Sequence, residues 1–505
     1  MRRSLSLRGT IAAISATAAL LSGLAGAQTL RIAYLTSPPT LDPHMSTTRA
    51  TADIAINVFE SLVGYGEDFS IRPLLATSWE VSDDGLVYTF NLKQGVTFHD
   101  GSAFTAEDVV ATLNRIRERG AYRARFVDVT DVTALDDHTV RITLSQPNAA
   151  LLSALADPLS GIIPSELAGE AELTGEQIVG TGPFRFVEWL PDQHVRLARF
   201  DGYVINEGEA SGNSGPRHVY VDGVLFIPVP EESARAAGLQ TGEYHIVDGV
   251  PYGAGRRLME NPDVAILQFE QYMKPFVYIN QRTDRITSDI NIRRAIQAAL
   301  DHEEIMAVAA EGYGRVDPSI AFGVWSSEAG SEYFNIADPE LARQYLEQAG
   351  YDGTPLVLVT NTDYDVMYRS GLMIQRQLER VGFNVDVQVY DWAGSRAVRD
   401  TFEYDLFISG HLLQEDPSVV EFHLQPETSP FAYDDPVASE LLDRGRRETD
   451  FEGRKEIYSE LQRRVYEQVA WIKLFDQNTF QGTRADVTGY RPWPYLRAWN
   501  VQVGD

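Results

Sequence analysis

The side chains able to do chemistry are thinly spread along this sequence. Nine histidines are scattered through it, and the tightest acid–imidazole spacing is Glu421-x-His423, with His411 upstream. His411 with His423 as a metal pair, or the same residues as solvated or hydrogen-bonded polar groups, are the two readings of that stretch. His302-Glu303-Glu304-Ile305-Met306 begins like a zinc-protease helix but lacks the second His, so that site is not built. The four lysines are Lys93, Lys274, Lys455 and Lys473, and none has Ser three residues before it, which removes an S-x-x-K nucleophile. No G-x-S-x-G elbow, P-loop or G-x-G-x-x-G run occurs, and nothing singles out two of the 72 acids as a glycosidase pair. The absence of cysteine excludes disulfides, thiol nucleophiles, thiolate metal sites and iron–sulfur clusters. None of these features calls for a cofactor. With 43 Lys+Arg against 72 Asp+Glu, the net charge of −29 opposes a phosphate backbone, so no nucleic-acid partner is expected.

A chain of 505 residues, 44% hydrophobic and 10% aromatic, has room for about three packed domains. Residues 1–27 read as a signal peptide: Met1-Arg2-Arg3 and Arg8, an apolar run from Ile11 to Leu24, then Ala25-Gly26-Ala27. Cleavage after about Ala27 would remove three arginines and leave 40 − 72 = −32. With no cysteine to carry a lipid, a freely diffusing periplasmic protein is expected. Strand-like runs then alternate with amphipathic helices, which predicts an α/β fold. Leu30 to Leu35, Val87 to Leu92 and Val385 to Tyr390 read as strands. Thr105 with Asp108 reads as a helix cap, Asp338-Pro339 opens a helix stopped by Gly350, and Gln375 to Val381 forms a helix ended by Gly382. Glu207 to Gly215 reads as a surface loop, and Arg293 with Arg294 as a solvated or ion-paired helix face.

Several segments, taken in order, resemble the extracellular solute-binding proteins of family 5, the peptide/nickel class that serves ABC importers. They are Thr40-Leu41-Asp42-Pro43, Phe59-Glu60-Ser61-Leu62-Val63, Leu75-Ala76-Thr77-Ser78-Trp79-Glu80 and Lys93-Gln94-Gly95-Val96-Thr97-Phe98-His99-Asp100-Gly101. Phe104-Thr105-Ala106-Glu107-Asp108-Val109, Gly180-Thr181-Gly182-Pro183-Phe184-Arg185-Phe186 and Ile279-Asn280 … Arg293-Arg294-Ala295-Ile296 … Ala299-Leu300-Asp301 follow. The resemblance implies a two-lobed periplasmic-binding-protein fold with an extra subdomain in lobe one, the lobes joined by two crossing segments. It places lobe one at 28–58, 180–271 and 476–505, the subdomain at 59–179 and lobe two at 272–475. The crossings would fall near Tyr272 to Val277 and Leu474 to Gln477. The implied function is non-enzymatic: a monomer that closes on a small-molecule ligand and delivers it to the permease subunits of an importer with its ATPases.

Peptide-binding relatives hold the ligand's amino terminus with an Asp in a Gly-Trp-x-x-Asp-x-x-Asp-Pro-like stretch. Here the stretch runs from Gly410 to Pro417, with His411 at the aromatic position. The amine-binding Asp falls on Leu413, or on Gln414 with a one-residue gap; Glu415 and Asp416 are the neighbouring carboxylates. A buried ammonium needs a paired carboxylate, so weight moves from ordinary peptides towards opine-like amino-acid conjugates or oligosaccharides. A metal or metallophore receptor is one alternative and a secreted hydrolase another. The spacing Asp391-Trp392 … Arg399 matches the relatives, which makes Arg399 the candidate anion anchor. Trp392 and Trp325 are either stacking platforms or core residues. Ser37 and Thr181 are the polar candidates from lobe one.

Overall fold

The computed structural model describes residues 28–412, 416–420, 429 and 433–504. The alternation read in the sequence becomes one large sheet that two lobes share. In lobe one, Thr29–Tyr34 lies parallel to Gly223–Pro228 and to Ile246–Val250, and His194–Arg199 and Phe184–Leu190 extend that side antiparallel. In lobe two, Leu356–Asn361 lies parallel to Val385–Tyr390 and to Leu406–Leu412. Two strands belong to both lobes. Val264–Ile279 pairs first with Asp476–Arg484, and from Met273 onward with Leu406–Leu412 and Trp471–Lys473. Its register with Asp476–Arg484 slips between Phe269 and Met273, an irregularity at the point where the chain passes between lobes.

The extra subdomain has its own antiparallel sheet, built from Ala76–Val81, Val87–Leu92, Thr139–Leu144 and Val129–Asp136 in that spatial order. The helix Ala106–Arg119 covers it, opened by the Thr105/Asp108 capping box expected from the sequence. Val109, Leu113 and Ile116 recur at helical spacing and bury against Phe90, Phe98, Phe104 and Ile142. Trp493, near the far end of the chain, stacks on Phe69 at 5.3 Å and joins the same core.

The motifs that carry the resemblance are joints. Asp42 is fully buried: its carboxylate accepts both terminal nitrogens of Arg115 (2.5 and 3.0 Å) and the Leu173 amide (2.8 Å). The turn at Phe98–Gly101 docks on Gly180–Gly182. His99 Nδ1 accepts the Gly180 amide at 3.3 Å, so the ring carries its proton on Nε2 and donates to the Gly182 carbonyl at 2.9 Å. A Cβ on Gly180 would lie 2.1 Å from the Val58 carbonyl oxygen, which is why only glycine fits there.

The His99 bond to Gly182 spans 83 residues. Several expectations change. Arg293 is buried, donating to the carbonyls of Gln468, Thr287 and Ser288 at 2.8–3.1 Å, so it ties a helix to its surroundings instead of facing solvent. The helix that ends at Gly382 starts at Asp365, ten residues before the position read from the sequence. The Glu207 to Gly215 loop is exposed only in its first half. Asn213 turns inward to accept the Tyr65 amide, and Gly212 to Gly215 are buried.

Candidate functional site

A cavity of about 160 Å³ opens between the lobes. Lobe one lines it with Thr47, with Thr48, Arg49 and Ala52, which are the cap and first turn of the helix Arg49–Val58, and with the C-terminal Pro494 and Tyr495. The subdomain adds Tyr122, Arg125, Asp157 and Leu159. Phe269 and Tyr272 come from the irregular stretch of the crossing strand, and Leu412 comes from the end of a lobe-two strand. The wall is therefore assembled from both lobes and from the segment that links them.

Its charges are held in pairs. Arg125 Nη1 lies 2.7 Å from Asp157 Oδ2, with the Tyr122 ring 4.0 Å beneath the guanidinium. Arg49 sits between two buried carboxylates, 3.0 Å from Asp248 and 3.8 Å from Asp53, and donates to the Tyr272 hydroxyl at 3.4 Å. Burial weakens a cation, but Asp248 and Asp53 more than compensate and hold Arg49 firmly protonated. Burial acts the other way on Asp53: together with the like charge of Asp248 it pushes that carboxyl up to about 7, against the pull of Arg49. Asp248 also accepts Gln481 Nε2 at 2.8 Å, and Gln481 Oε1 accepts the Tyr490 hydroxyl at 2.8 Å. Since Gln481 lies on the second crossing strand, the network behind Arg49 reaches that link as well.

A second charged cluster lies where the crossing segments meet lobe two. Asp476 Oδ1 accepts both Lys274 Nζ (2.7 Å) and Lys473 Nζ (2.6 Å), all three side chains being shielded from solvent. The ammonium groups also donate to the Ser319 carbonyl, at 3.0 and 2.7 Å. Burial, then repulsion from Lys473, holds Lys274 well below the ordinary lysine range.

The residues picked from the sequence lie mostly elsewhere. Arg399, in the last turn of Trp392–Thr401, pairs with the adjacent Asp400 at 2.7 Å and is not part of the cavity wall. Trp392, half-buried, packs edge-on to Tyr364 at 5.4 Å. His411 meets the Tyr278 hydroxyl through Nε2, and burial lowers its pKa to about 4. Asp416 is buried in a two-pronged pair with Arg454 at 2.7 and 2.8 Å. Trp325 is core, 4.8 Å from the Phe451 ring and beneath the Arg454 guanidinium at 4.9 Å. Ser37 Oγ accepts the Asp192 amide at 3.1 Å, and buried Thr181 donates to Glu60 at 3.0 Å. Leu413, Gln414, Glu415 and His423 lie outside the described residues, although Leu412, immediately before the first of them, is in the wall. Among the described residues, no three His, Asp or Glu side chains converge as metal ligands.

Sequence reasoning picked none of the cavity residues as a ligand contact, Arg49, Tyr122, Arg125, Asp157 and Tyr272 among them. A Thr-Thr-Arg run opening a helix was the one local signal, since it brings a cap and a cation to a single turn.

Comparison with known proteins agrees with this architecture. The model for bacterial extracellular solute-binding proteins, family 5 Middle, matches residues 70–425. A glutathione-binding protein, GsiB of Escherichia coli O1:K1 / APEC, is 30% identical over 407 residues, which span 79% of this chain and 76% of the relative. The ABC transporter substrate-binding protein CtaP of Listeria monocytogenes superposes with a TM-score of 0.82 at 22% identity, covering 95% of this chain and all of that one. The binding protein AgaA of A. tumefaciens R10, solved in complex with agropinic acid, gives 0.73 at 27% identity, covering 94% and 99%. No helix among the described residues is long and apolar enough to cross a membrane. The chain belongs to the bacterial extracellular solute-binding proteins of family 5, substrate-binding receptors of ABC importers and not enzymes.

Proposed function

We propose that this receptor captures a small organic solute in the cavity between its lobes and releases it to the importer's permease on reopening. The observation that carries the reading is the composition of the wall. Helix Arg49–Val58, the subdomain, the irregular stretch of the crossing strand and the end of a lobe-two strand all contribute to one space. A solute touching all of them favours the closed arrangement by its differential affinity. Micromolar affinity would correspond to about −8 kcal/mol net of desolvation and ordering.

Peptides, opine-like amino-acid conjugates and oligosaccharides are the candidate classes. The similarity to a glutathione-binding protein and to one solved with agropinic acid supports the first two. Leu412, at the end of its strand, is the contact we propose from that side of the cavity. The mature protein is read as a freely diffusing monomer in the periplasm, released from its first 27 residues.

Mass spectrometry of ligand released by denaturing protein purified without refolding tests the function. A bound solute that rebinds stoichiometrically and comes back unchanged supports it; turnover of the solute refutes it.

A further inference from the structure

We propose that the extra subdomain is a clasp: it docks on lobe two outside the cavity and holds the lobes together whether or not a solute is present. The inference does not depend on which solute the cavity takes.

Two hydrogen bonds and two glycines mark the docking face. The Val324 amide of lobe two donates to the Asp68 carbonyl at 3.0 Å, and the Ala149 amide of the subdomain donates to the Arg446 carbonyl at 2.9 Å. Gly85 lies in the turn that joins Ala76–Val81 to Val87–Leu92, and a Cβ on it would be 3.1 Å from Thr449 Cγ2. A Cβ on Gly323 would be 2.6 Å from both the Asp68 carbonyl oxygen and Phe69 Cδ2. None of these residues lines the cavity.

Both faces are anchored in their own lobes. Asp68 and Phe69 form the turn of the hairpin Val63–Tyr65 and Ile71–Pro73, closed by the Gly66 amide on the Ser70 carbonyl at 2.8 Å. The Phe69 ring is buried in the subdomain core and stacks on Trp493. Across the interface, Gly323–Trp325 is a short helical turn fixed by Trp325, which packs beneath Arg454. Arg446 lies in the last turn of the helix Pro436–Arg447, where carbonyls have no partner within the helix. The Ala149 amide supplies that partner, and opening would leave the carbonyl to water. Each of the two bonds favours docking by about 2- to 10-fold once exchange with water is counted.

Because the docking face includes no cavity residue, its contribution is the same for every solute. It sets a common baseline of affinity, and discrimination between solutes is left to the cavity wall.

Hydrogen exchange on the mature protein, freed of solute by unfolding in urea and refolding, reads both bonds directly. The Val324 and Ala149 amides should exchange at least about tenfold more slowly than unprotected amides. Exchange of either amide at the unprotected rate would overturn the proposal, and this measurement needs no variant. Gly323→Ala is the second arm. The three atoms nearest its new methyl all belong to Asp68 and Phe69, so the methyl obstructs only the docked arrangement. Gly350→Ala is the control: its φ of +63° is close to the +56° of Gly323, and no atom lies within 4 Å of its Cβ position. It therefore carries the backbone strain without the obstruction. Gly323→Ala should speed exchange at Ala149, in the other contact, by about fivefold or more relative to Gly350→Ala. Equal Ala149 exchange in the two variants would show that the contact at Gly323 acts only locally and would overturn the clasp, leaving the receptor reading intact.

Discussion

Asp476→Asn is the most demanding perturbation this structure offers. The side chain keeps its shape and loses its charge, at a point where two buried ammonium groups share one carboxylate oxygen at 2.6 and 2.7 Å. What remains is Asp317, 3.4 Å from Lys473 only, a few carbonyls, and Arg315, which adds a further positive charge nearby. Removing one partner of a buried pair costs about 3–5 kcal/mol, because the desolvated charge left behind has no counterion. Lys274 has one escape. Burial and the Lys473 charge already hold its pKa well below the usual value, so in the variant it can release its proton. The penalty should therefore be greatest in acid and shrink as the pH rises. Urea unfolding followed by tryptophan fluorescence reads it, with Trp471 buried two residues from Lys473. Lys274→Met removes the stranded ammonium, so the double variant should recover at least about 2 kcal/mol relative to the sum of the single effects. A loss below about 1 kcal/mol for Asp476→Asn, or strict additivity in the double variant, would refute the claim that this cluster is held together by charge.

His44 is buried and His99 half-buried, and desolvation lowers the pKa of both from an ordinary 6.5 to about 4, so both are neutral. The unfolded chain takes up these protons first, so stability should fall as the pH drops from about 6.5 towards 4, by roughly 1.4 kcal/mol per pH unit for each ring. Urea midpoints at several pH values check this, and His99→Gln should flatten the slope by one proton's worth; an unchanged slope contradicts it. Gly180→Ala drives a Cβ to 2.1 Å from the Val58 carbonyl oxygen and should cost at least about 2 kcal/mol in the same assay. Tyr122→Ala removes the ring beneath Arg125, and calorimetry with the native solute should show a loss of about 1–2 kcal/mol.

Local grammar was legible. Thr105 and Asp108 cap their helix as their spacing implies, and Val385–Tyr390 is a strand over the residues expected. The two-lobed fold followed from family motifs, yet their physical work could not be read, because each partner is remote. Asp42 needs Arg115, and His99 needs Gly180 and Gly182, 81 and 83 residues away. Arg293 misled for the same reason: helical spacing put a charge beside Arg294, while the carbonyls that bury it come partly from Gln468, 175 residues on. The cleft was the least legible part. Tyr122, Arg125, Asp157 and Tyr272 share no period or motif and meet only once the subdomain and the crossing strand are in place. Arg399 matched a family spacing, but its guanidinium is engaged by Asp400.

The helix Arg49–Val58 is completed by residues from the opposite end of the chain. Asp53 accepts the Leu496 amide, and Asn57 bonds both the Leu496 carbonyl and the Ala498 amide, at 2.8–2.9 Å across more than 430 positions. Leu496, Ala498 and Val501 also sit in the core that holds Leu30 and Ile32. The largest core of lobe two, by contrast, draws its buried residues from Met273 to Phe475 alone. During synthesis that core can consolidate while lobe one still lacks its last pieces, although lobe one's first strand emerges earlier. The first part of the protein to be made is thus among the last to become native, and removing a dozen C-terminal residues would strand the helix that presents Arg49 to the cleft.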